Sequence, residues 1–571
     1  MRNFSLNLLF TLLLVGVAAW AIWARFEYPR TGIDDANIFF VYAQNAANGH
    51  GFVYNVGGER VEGFSSLLWT LICSAVFRAS DRPEFILLFI NVIILSFGIT
   101  AAISSIQRMF TRGQYSHLHA MFATFLFLAL LLTSPMYLAW NLVSLMENPL
   151  WSTLVLLATL FVIRDELSGK AIYGMFLPLS VLLLLTRPEA YAWVAALTGI
   201  LYVRRALALG WKQAVRELIP LLAVILLTII GLTLFRIVYF GYPLPNTYYA
   251  KVSPSFFYNI FQGTKYVVQY FVSNLIVSIL IAAALLDAVH TALMFMEGKF
   301  TNDGLLLLPF VAGTGLLLPM ITGGDHFSSF RFYQAVYPIL LLCLVHFLWF
   351  VLPQYIQIGL TSSLLRRSQM IFAASLVGLV AAGMVLYQVR DWVSSEELSE
   401  LSDEFEFAED GRDTGQFARE LFAAEPELPA IGVIRAGGIK VSYPGEIIDL
   451  MGLNNLMMAH NGGERQGEKN HAAFEKATFY RLQPDIVNPE IVPLDDRLLK
   501  AAELKTSWEN TVPLKGLYNE PDFLNMYDYA SIQKVDMQRN KALVGWFEKK
   551  YLSRLETRGE YVIERYPYTG E

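Results

Sequence analysis

Cysteine is nearly absent: the 571 residues hold two, Cys73 and Cys343, each inside an apolar segment. So small a supply excludes a disulfide framework and a CxxC metal or redox site, and it reads as two small core side chains. Charge is scarce too, at 16% of residues, and the net of -6 is acidic. A nucleic-acid partner needs a basic face, so that class is set aside. There is no obvious internal repeat or low-complexity tract. No glycine loop follows a strand in the apolar part, which makes a sugar nucleotide a poor substrate candidate. No convincing small-residue cleavage site ends the apolar run Met1 to Trp23. That run reads as a retained first span rather than a removed signal peptide, with Arg2 holding the N-terminus in the cytoplasm.

What is abundant is apolar sequence, 55% of residues, with a mean hydropathy of +0.44. A soluble fold cannot hide that much, and the composition predicts a polytopic α-helical membrane protein. Runs long enough to span lie at about 5 to 23, 84 to 104, 118 to 134, 149 to 163, 171 to 186, 189 to 203, 218 to 240, 268 to 289, 304 to 321, 332 to 352 and 369 to 388, about eleven in all. The segment Ser65 to Phe77 is too short to cross and is expected to lie along the membrane face. With it outside, the loops carrying Arg108 and Arg112, Arg164 and Lys170, Arg204 to Arg216, and Arg366 and Arg367 all fall in the cytoplasm. Lys and Arg gather on that side of a membrane. If the segment crossed, every later loop would change sides.

Two domains follow: residues 1 to 390 in the membrane, with a first outer loop over 25 to 83, and an extracytoplasmic domain over 391 to 571. The second opens on the acidic run SSEELSELSDEFEFAED, which reads as a solvated linker or helix face. IGVI, the turn RAGGIKVSY and EIIDLMGL then alternate as in a small α/β domain. RAGG could cradle a phosphate, but a tight turn is the simpler reading.

This topology puts the conspicuous polar motifs on one side, outside. They are Asp34 and Asp35 with the Gly- and Asn-rich stretch after them, Glu147 in SLMENPLW, Arg187 and Glu189 in TRPEA, Asn246, Tyr248 and Lys251 in PLPNTYYAK, and Asp325, His326 and Arg331 in GGDHFSSFRF. Charges at a membrane edge must be paired or hydrated, and their shared side predicts one outer cavity. Carboxylates can serve as general base and can clasp sugar hydroxyls, while Arg187, Lys251 and Arg331 can meet a phosphate. A sugar joined through phosphate to a lipid fits both. Plainer readings stand beside these: either Asp capping the helix that follows, a Glu147–Arg187 ion pair between spans, Pro188 as a helix break, a hydrogen-bonded His326 rather than a metal ligand, and Tyr248 and Tyr249 as interfacial anchors.

DDANIFFVYAQNAANGHGFVYNVGGERVEGFSSLLW resembles the first outer loop of the GT-C glycosyltransferases. Within them it is similar to the arabinofuranosyltransferases of actinobacterial cell-wall arabinan and to related bacterial envelope enzymes. SLMENPLW, LLTRPEA, LPNTYYAK and GGDHFSSFRFYQAVYP resemble successive motifs of that group in the same order, and IDLMGL and HAAFEK its outer domain. The departures are LMEN where a GMET-like run is expected, Glu189 where Asp is common, and His326 where a bulkier aromatic is frequent.

The resemblance implies a GT-C fold with a membrane-plane helix in the first outer loop and a polyprenyl-phosphate sugar donor, most simply of D-arabinofuranose. It implies an envelope glycan or surface protein as acceptor, at the outer face of a bacterial inner membrane. Asp34 and Asp35 become the catalytic candidates. Arg187, Lys251 and Arg331 become phosphate contacts, and Glu147, Glu189, Asn246, Tyr248, Asp325 and His326 substrate contacts. No cofactor is identified, and whether a divalent cation helps hold the phosphate stays open. A different lipid-linked sugar such as mannose, a glycolipid flippase and a glycan-binding scaffold are the alternatives.

Overall fold

The computed structural model describes residues 2–164, 167, 169–300, 302–356, 378, 382–392, 396–463, 465, 472–493, 503–535 and 540–566. The chain forms two compact units. One comprises Met1–Pro29, Phe85–Leu232 and Ile260–Glu400; the other comprises Arg30–Glu84, Thr233–Asn259 and Leu401–Glu571.

The first unit is helical. Among the described residues, seven helices are long and apolar enough to cross a membrane, or eight if the bent pair His117–Leu132 and Pro135–Val143 is one broken span. The chain is a multi-pass membrane protein. The eleven expected spans are therefore not reproduced. The runs at 149 to 163 and 171 to 186 fold as Asn148–Val162 and Ile172–Thr186, which fall short of the span length. Fifteen residues rise about 22 Å, against the ~30 Å of a hydrocarbon core. Most of the run at 369 to 388, and the Arg366 and Arg367 loop, lie outside the described residues.

Both ends of these short helices are fastened. The Arg204 guanidinium donates through Nη1 to the carbonyls of Val162 (2.7 Å) and Arg164 (2.6 Å), and through Nη2 and Nε to the carbonyl (3.0 Å) and side chain (3.1 Å) of Asn302. The last carbonyls of a helix have no partner within it, and a cation there also meets the negative end of its dipole. Arg112 pairs with Asp303 at 3.2 Å. Three basic loops, those of Arg112, Arg164 and Arg204, thus meet the turn at Asn302 and Asp303 at one end of the unit. At the other end Glu147, just before Asn148–Val162, pairs with Arg187, just after Ile172–Thr186. Deeper in the helices, Asp287 and His346 form a buried pair at 2.8 Å.

The second unit holds the six-stranded sheet. Strands β1 (Ile431–Val433), β2 (Ile447–Asp449), β3 (Ile486–Pro493), β4 (Tyr527–Lys534), β5 (Lys541–Glu548) and β6 (Tyr561–Arg565) lie in the order β2-β1-β3-β5-β4-β6. β1 runs parallel to β2 and β3, and the remaining pairs are antiparallel. The short helix Gly438–Ser442 links β1 to β2, the α/β alternation expected of RAGGIKVSY and its flanks. Phe479, Phe523, Tyr527 and Trp546 fill the core beneath it. The acidic run is largely helix, Glu396–Leu421.

The first loop supplies two helices to this unit, Asp34–Ala47 and Leu67–Ala79. The second replaces the expected 65 to 77; Ser66 caps it by accepting from the Trp69 N–H at 3.2 Å. The two helices meet through Phe40 and Phe77, with ring centroids 5.5 Å apart.

Candidate functional site

The structure divides the predicted site residues. Glu147, Arg187, Glu189, Asp325, His326 and Arg331 belong to the first unit; Asp34, Asp35, Asn246, Tyr248 and Lys251 belong to the second.

In the first unit the cations are not bare. Arg187 gives Nη1 to Glu147 at 2.5 Å and forks Nε and Nη2 onto Glu189 at 3.2 and 3.1 Å. The ion pair weighed as a plain reading of Glu147 and Arg187 is present. Arg331 forks onto Asp325 through Nε and Nη2, the latter at 3.2 Å. Asp325 also accepts from the His326 N–H at 3.0 Å. Three carboxylates therefore face two guanidiniums. Phe332 joins the two pairs, since Arg187 lies 5.3 Å and Arg331 5.6 Å from its ring centroid. Cations over aromatic faces in a buried site keep their charge at reduced hydration, which suits an anionic ligand.

In the second unit, Asp34 opens the helix Asp34–Ala47 but does not cap it. Ile33 is the N-cap residue, and no side chain caps the helix. The Asp34 carboxylate reaches elsewhere: Oδ2 accepts from the Gly437 N–H at 3.0 Å and Oδ1 from the Gly438 N–H at 2.7 Å. RAGG is thus the partner of Asp34, with its two consecutive amides presented to a carboxylate. Gly437 is required by this approach, because a Cβ there would stand 1.9 Å from the Asp34 carbonyl oxygen. Burial pushes the Asp34 carboxyl up to about 6, with the two amides pulling the other way. Asp35 is half-exposed.

Several residues brace this loop that sequence reasoning passed over. The Arg412 guanidinium donates to Asn37 Oδ1 (2.8 Å) and to Glu84 (2.7 Å). Asn55 matches both backbone groups of Ile447 in β2, accepting from its N–H (3.0 Å) and donating to its carbonyl (2.9 Å). Glu62 forms a buried pair with Arg236 at 2.9 Å. Tyr42 donates to the Val61 carbonyl (2.8 Å) and receives the Gly63 N–H (3.0 Å). Asp449 accepts from the N–H groups of Met451 and Asn454, both at 2.9 Å, and burial raises its carboxyl to about 6. EIIDLMGL carried the only local hint, an Asp inside an apolar strand.

Asn246 donates to the carbonyls of Gly452 (2.8 Å) and Leu453 (3.0 Å), and its oxygen lies 3.2 Å from His460 Nε2. Its task is to tie the PLPNTYYAK turn to the IDLMGL turn. Tyr248 is 45% exposed. Lys251, at the end of the helix Asn246–Lys251, has no ion-pair partner among the described residues. No group of three or more His, Cys, Asp or Glu among the described residues is placed to hold a metal ion.

No family model and no curated protein matches this sequence. Among solved structures, ArnT from Cupriavidus metallidurans in the apo state superposes with a TM-score of 0.50 at 13% identity, over 93% of this chain and 97% of that one. The chain has the GT-C fold. The same ArnT bound to undecaprenyl phosphate gives 0.48 at 12% identity, with the same coverage. The archaeal oligosaccharyltransferase AglB from Archaeoglobus fulgidus, in complex with an inhibitory peptide and a dolichol-phosphate, gives 0.43 at 11%, over 95% of this chain and 74% of that one. In this chain the first-loop carboxylates stand on a helix start that is braced from 403 residues downstream.

Proposed function

We propose that this chain is a glycosyltransferase that moves a sugar, D-arabinofuranose in the first instance, from a polyprenyl-phosphate donor to an envelope glycan or surface protein. The observation that carries this reading is the carboxylate pair at the start of Asp34–Ala47, one member fixed by two backbone amides and the other half-exposed, on a GT-C fold. Asp35 serves as general base, because both oxygens of Asp34 already accept backbone hydrogen bonds. It takes the proton of the acceptor hydroxyl as that oxygen attacks the anomeric carbon, and the sugar–phosphate bond breaks with its electrons leaving on the lipid phosphate. Asp34 sets the position of the helix start. Lys251, which has no ion-pair partner among the described residues, and the guanidiniums of Arg187 and Arg331 meet the phosphate. Glu147, Glu189 and Asp325 hold those guanidiniums in place, and Asn246, Tyr248 and His326 complete the substrate contacts. The deciding assay incubates purified protein with polyprenyl-phosphoryl arabinose and a panel of acceptors and measures released polyprenyl phosphate. No release with any acceptor would count against the reading.

The paired state of Arg331 shapes the test of the phosphate site. Arg331→Ala alone would strand the buried Asp325 carboxylate at a cost of about 3–5 kcal/mol. The double variant Asp325→Asn/Arg331→Gln removes both charges and leaves an amide at each position. It should fold and bind donor more weakly by roughly 1.5–3 kcal/mol, the worth of a charge-assisted hydrogen bond. Donor affinity equal to wild type would move the phosphate elsewhere.

The basic loops that meet around Arg204 and Asn302 support a cytoplasmic placement of that end, and the proposed site is extracytoplasmic, at the outer face of a bacterial inner membrane. Reporter fusions after Arg112 and Arg205 should read cytoplasmic, and a fusion after Gly411 external. An external reading at Arg205 would reverse the scheme. A glycolipid flippase is the second reading, favoured by the buried Asp287–His346 pair within the helices and by the 72° break between Leu132 and Pro135. Lipid crossing in proteoliposomes without phosphate release would select it.

A further inference from the structure

The first unit contains a pocket of about 70 Å³ that none of the predicted site residues lines. It sits where several segments end or turn. These are the break after His117–Leu132, the junction of Phe256–Ser273 with Leu275–Met296, the turn 328 to 334, and the stretch carrying Gln388 and Asp391. Its polar groups are three carboxamides, Asn274, Gln334 and Gln388, with the carboxylate of Asp391, and no Lys or Arg lines it. Serine hydroxyls, the rings of Tyr270, Phe330 and Tyr337, and several aliphatic side chains complete the wall. Such a lining does not recognise a phosphate. It offers donors and acceptors in balance beside aromatic surface, the chemistry that suits a neutral ring bearing several hydroxyls.

The groups are pre-set. Asn274 donates to Asp391 at 3.1 Å and accepts from the Ile276 N–H at 2.8 Å, and Gln388 donates to the Tyr337 hydroxyl at 2.7 Å and accepts from the Thr133 hydroxyl at 2.5 Å. Gln334, buried to 5% exposure, donates to the carbonyls of Ser329 and Phe330 at 3.1 and 3.2 Å. Its carboxamide oxygen has no partner among the described residues. Phe330 has a φ of +52°, a left-handed conformation costly for a bulky residue, and strain of this kind is kept where surrounding structure enforces it. Phe330 lines the pocket, while Arg331 goes to Asp325. Trp140 connects the two places: its Nε1–H donates to Ser329 Oγ in the pocket wall at 3.1 Å, and its ring centroid lies 5.9 Å from the Arg331 guanidinium.

We infer that this pocket is a carbohydrate subsite, taking an uncharged sugar ring whose phosphate or glycosidic continuation leaves toward the Arg331–Asp325 pair. The inference deepens the transferase reading and rests on it for the choice of sugar source, the lipid donor or the acceptor glycan.

Two variants test it. Ser273→Trp places bulk at an exposed position of the lining, where folding is not at stake, and Asp391→Asn removes the carboxylate charge with the shape kept. Binding to the full-length protein in detergent is measured for bare undecaprenyl phosphate, for polyprenyl-phosphoryl arabinose and mannose, and for a soluble arabino-oligosaccharide. Both variants should weaken at least one sugar-bearing probe by about ten-fold or more while bare undecaprenyl phosphate binds as in wild type. A loss confined to the lipid-linked sugars assigns the pocket to the donor, and one confined to the oligosaccharide assigns it to the acceptor. Unchanged binding of every sugar-bearing probe, equal weakening of the bare lipid phosphate, or a wild-type protein that binds no sugar-bearing probe better than the bare lipid would overturn the inference. A wild-type protein that binds a sugar through these residues yet releases no polyprenyl phosphate would sink the transferase reading and keep the pocket.

Discussion

Asp35→Asn should leave a folded protein whose turnover falls by roughly 10²- to 10⁴-fold, the loss expected when a general base is removed. The substitution is nearly isosteric, and Asp35 is half-exposed, so the change falls on proton transfer rather than on packing. Asp34→Asn gives a different pattern. An amide in place of that carboxylate keeps one acceptor for the Gly437 and Gly438 N–H pair and turns a donor toward the other. Stability and turnover should then fall together, because a buried N–H left without an acceptor costs about 1–3 kcal/mol. The two variants separate base from brace. Wild-type turnover in Asp35→Asn, with a loss in Asp34→Asn that persists after folding is restored by lower temperature, would exchange the roles.

A second large effect is expected far from the loop in sequence. In Gly437→Ala the new methyl would lie 1.9 Å from the Asp34 carbonyl oxygen and 2.8 Å from its Oδ1, both within the same unit. Neither backbone atoms nor a carboxylate fixed by two amides can give way by the ångström or more that is needed. The contact opens, at about 2–5 kcal/mol for overpacking and lost charge-assisted bonds combined. Limited proteolysis should then cut within residues 30 to 84 sooner than in wild type, and turnover should fall. Donor binding through Arg187 and Arg331 should survive. Wild-type protease resistance and turnover in this variant would show that the amides are not needed to hold the loop.

Elements with a local cause were legible in the sequence. Apolar runs gave most of the long helices, alternation gave β1 and β2 on either side of RAGG, and the spacing of Lys and Arg marked the loops that Arg204 and Arg112 draw to one end. What escaped depends on partners distant in the chain. Asp34 looks like a helix cap from its neighbours alone, and only the fold brings Gly437 to it. Arg412 follows an acidic run, and only the fold brings it to Asn37, 375 residues away. The two 15-residue helices passed as spans because hydropathy averages over their flanks, whereas their reach is set by rise per residue. RAGG reads locally as a tight turn or a phosphate cradle; in the fold its Gly437 and Gly438 amides lead into the helix Gly438–Ser442 and meet the Asp34 carboxylate.

The matching of Asn55 to the backbone of Ile447 has a consequence for how the chain must be made. β2 is an outer strand of its sheet, and the Asn55 carboxamide satisfies one unit of that rim as a neighbouring strand would. The residues that do this are synthesised early, and their partners follow 392 positions later. At about 5–20 residues per second, ribosomes need roughly 20–80 s to cover that distance. Throughout that interval Asn55 has no strand edge to match, and once the sheet forms, its rim stays open until the loop docks. A fragment spanning residues 401 to 571, produced alone, would keep that rim permanently open and should self-associate through β2. The early loop therefore acts as a late-arriving shield for the end of its own chain.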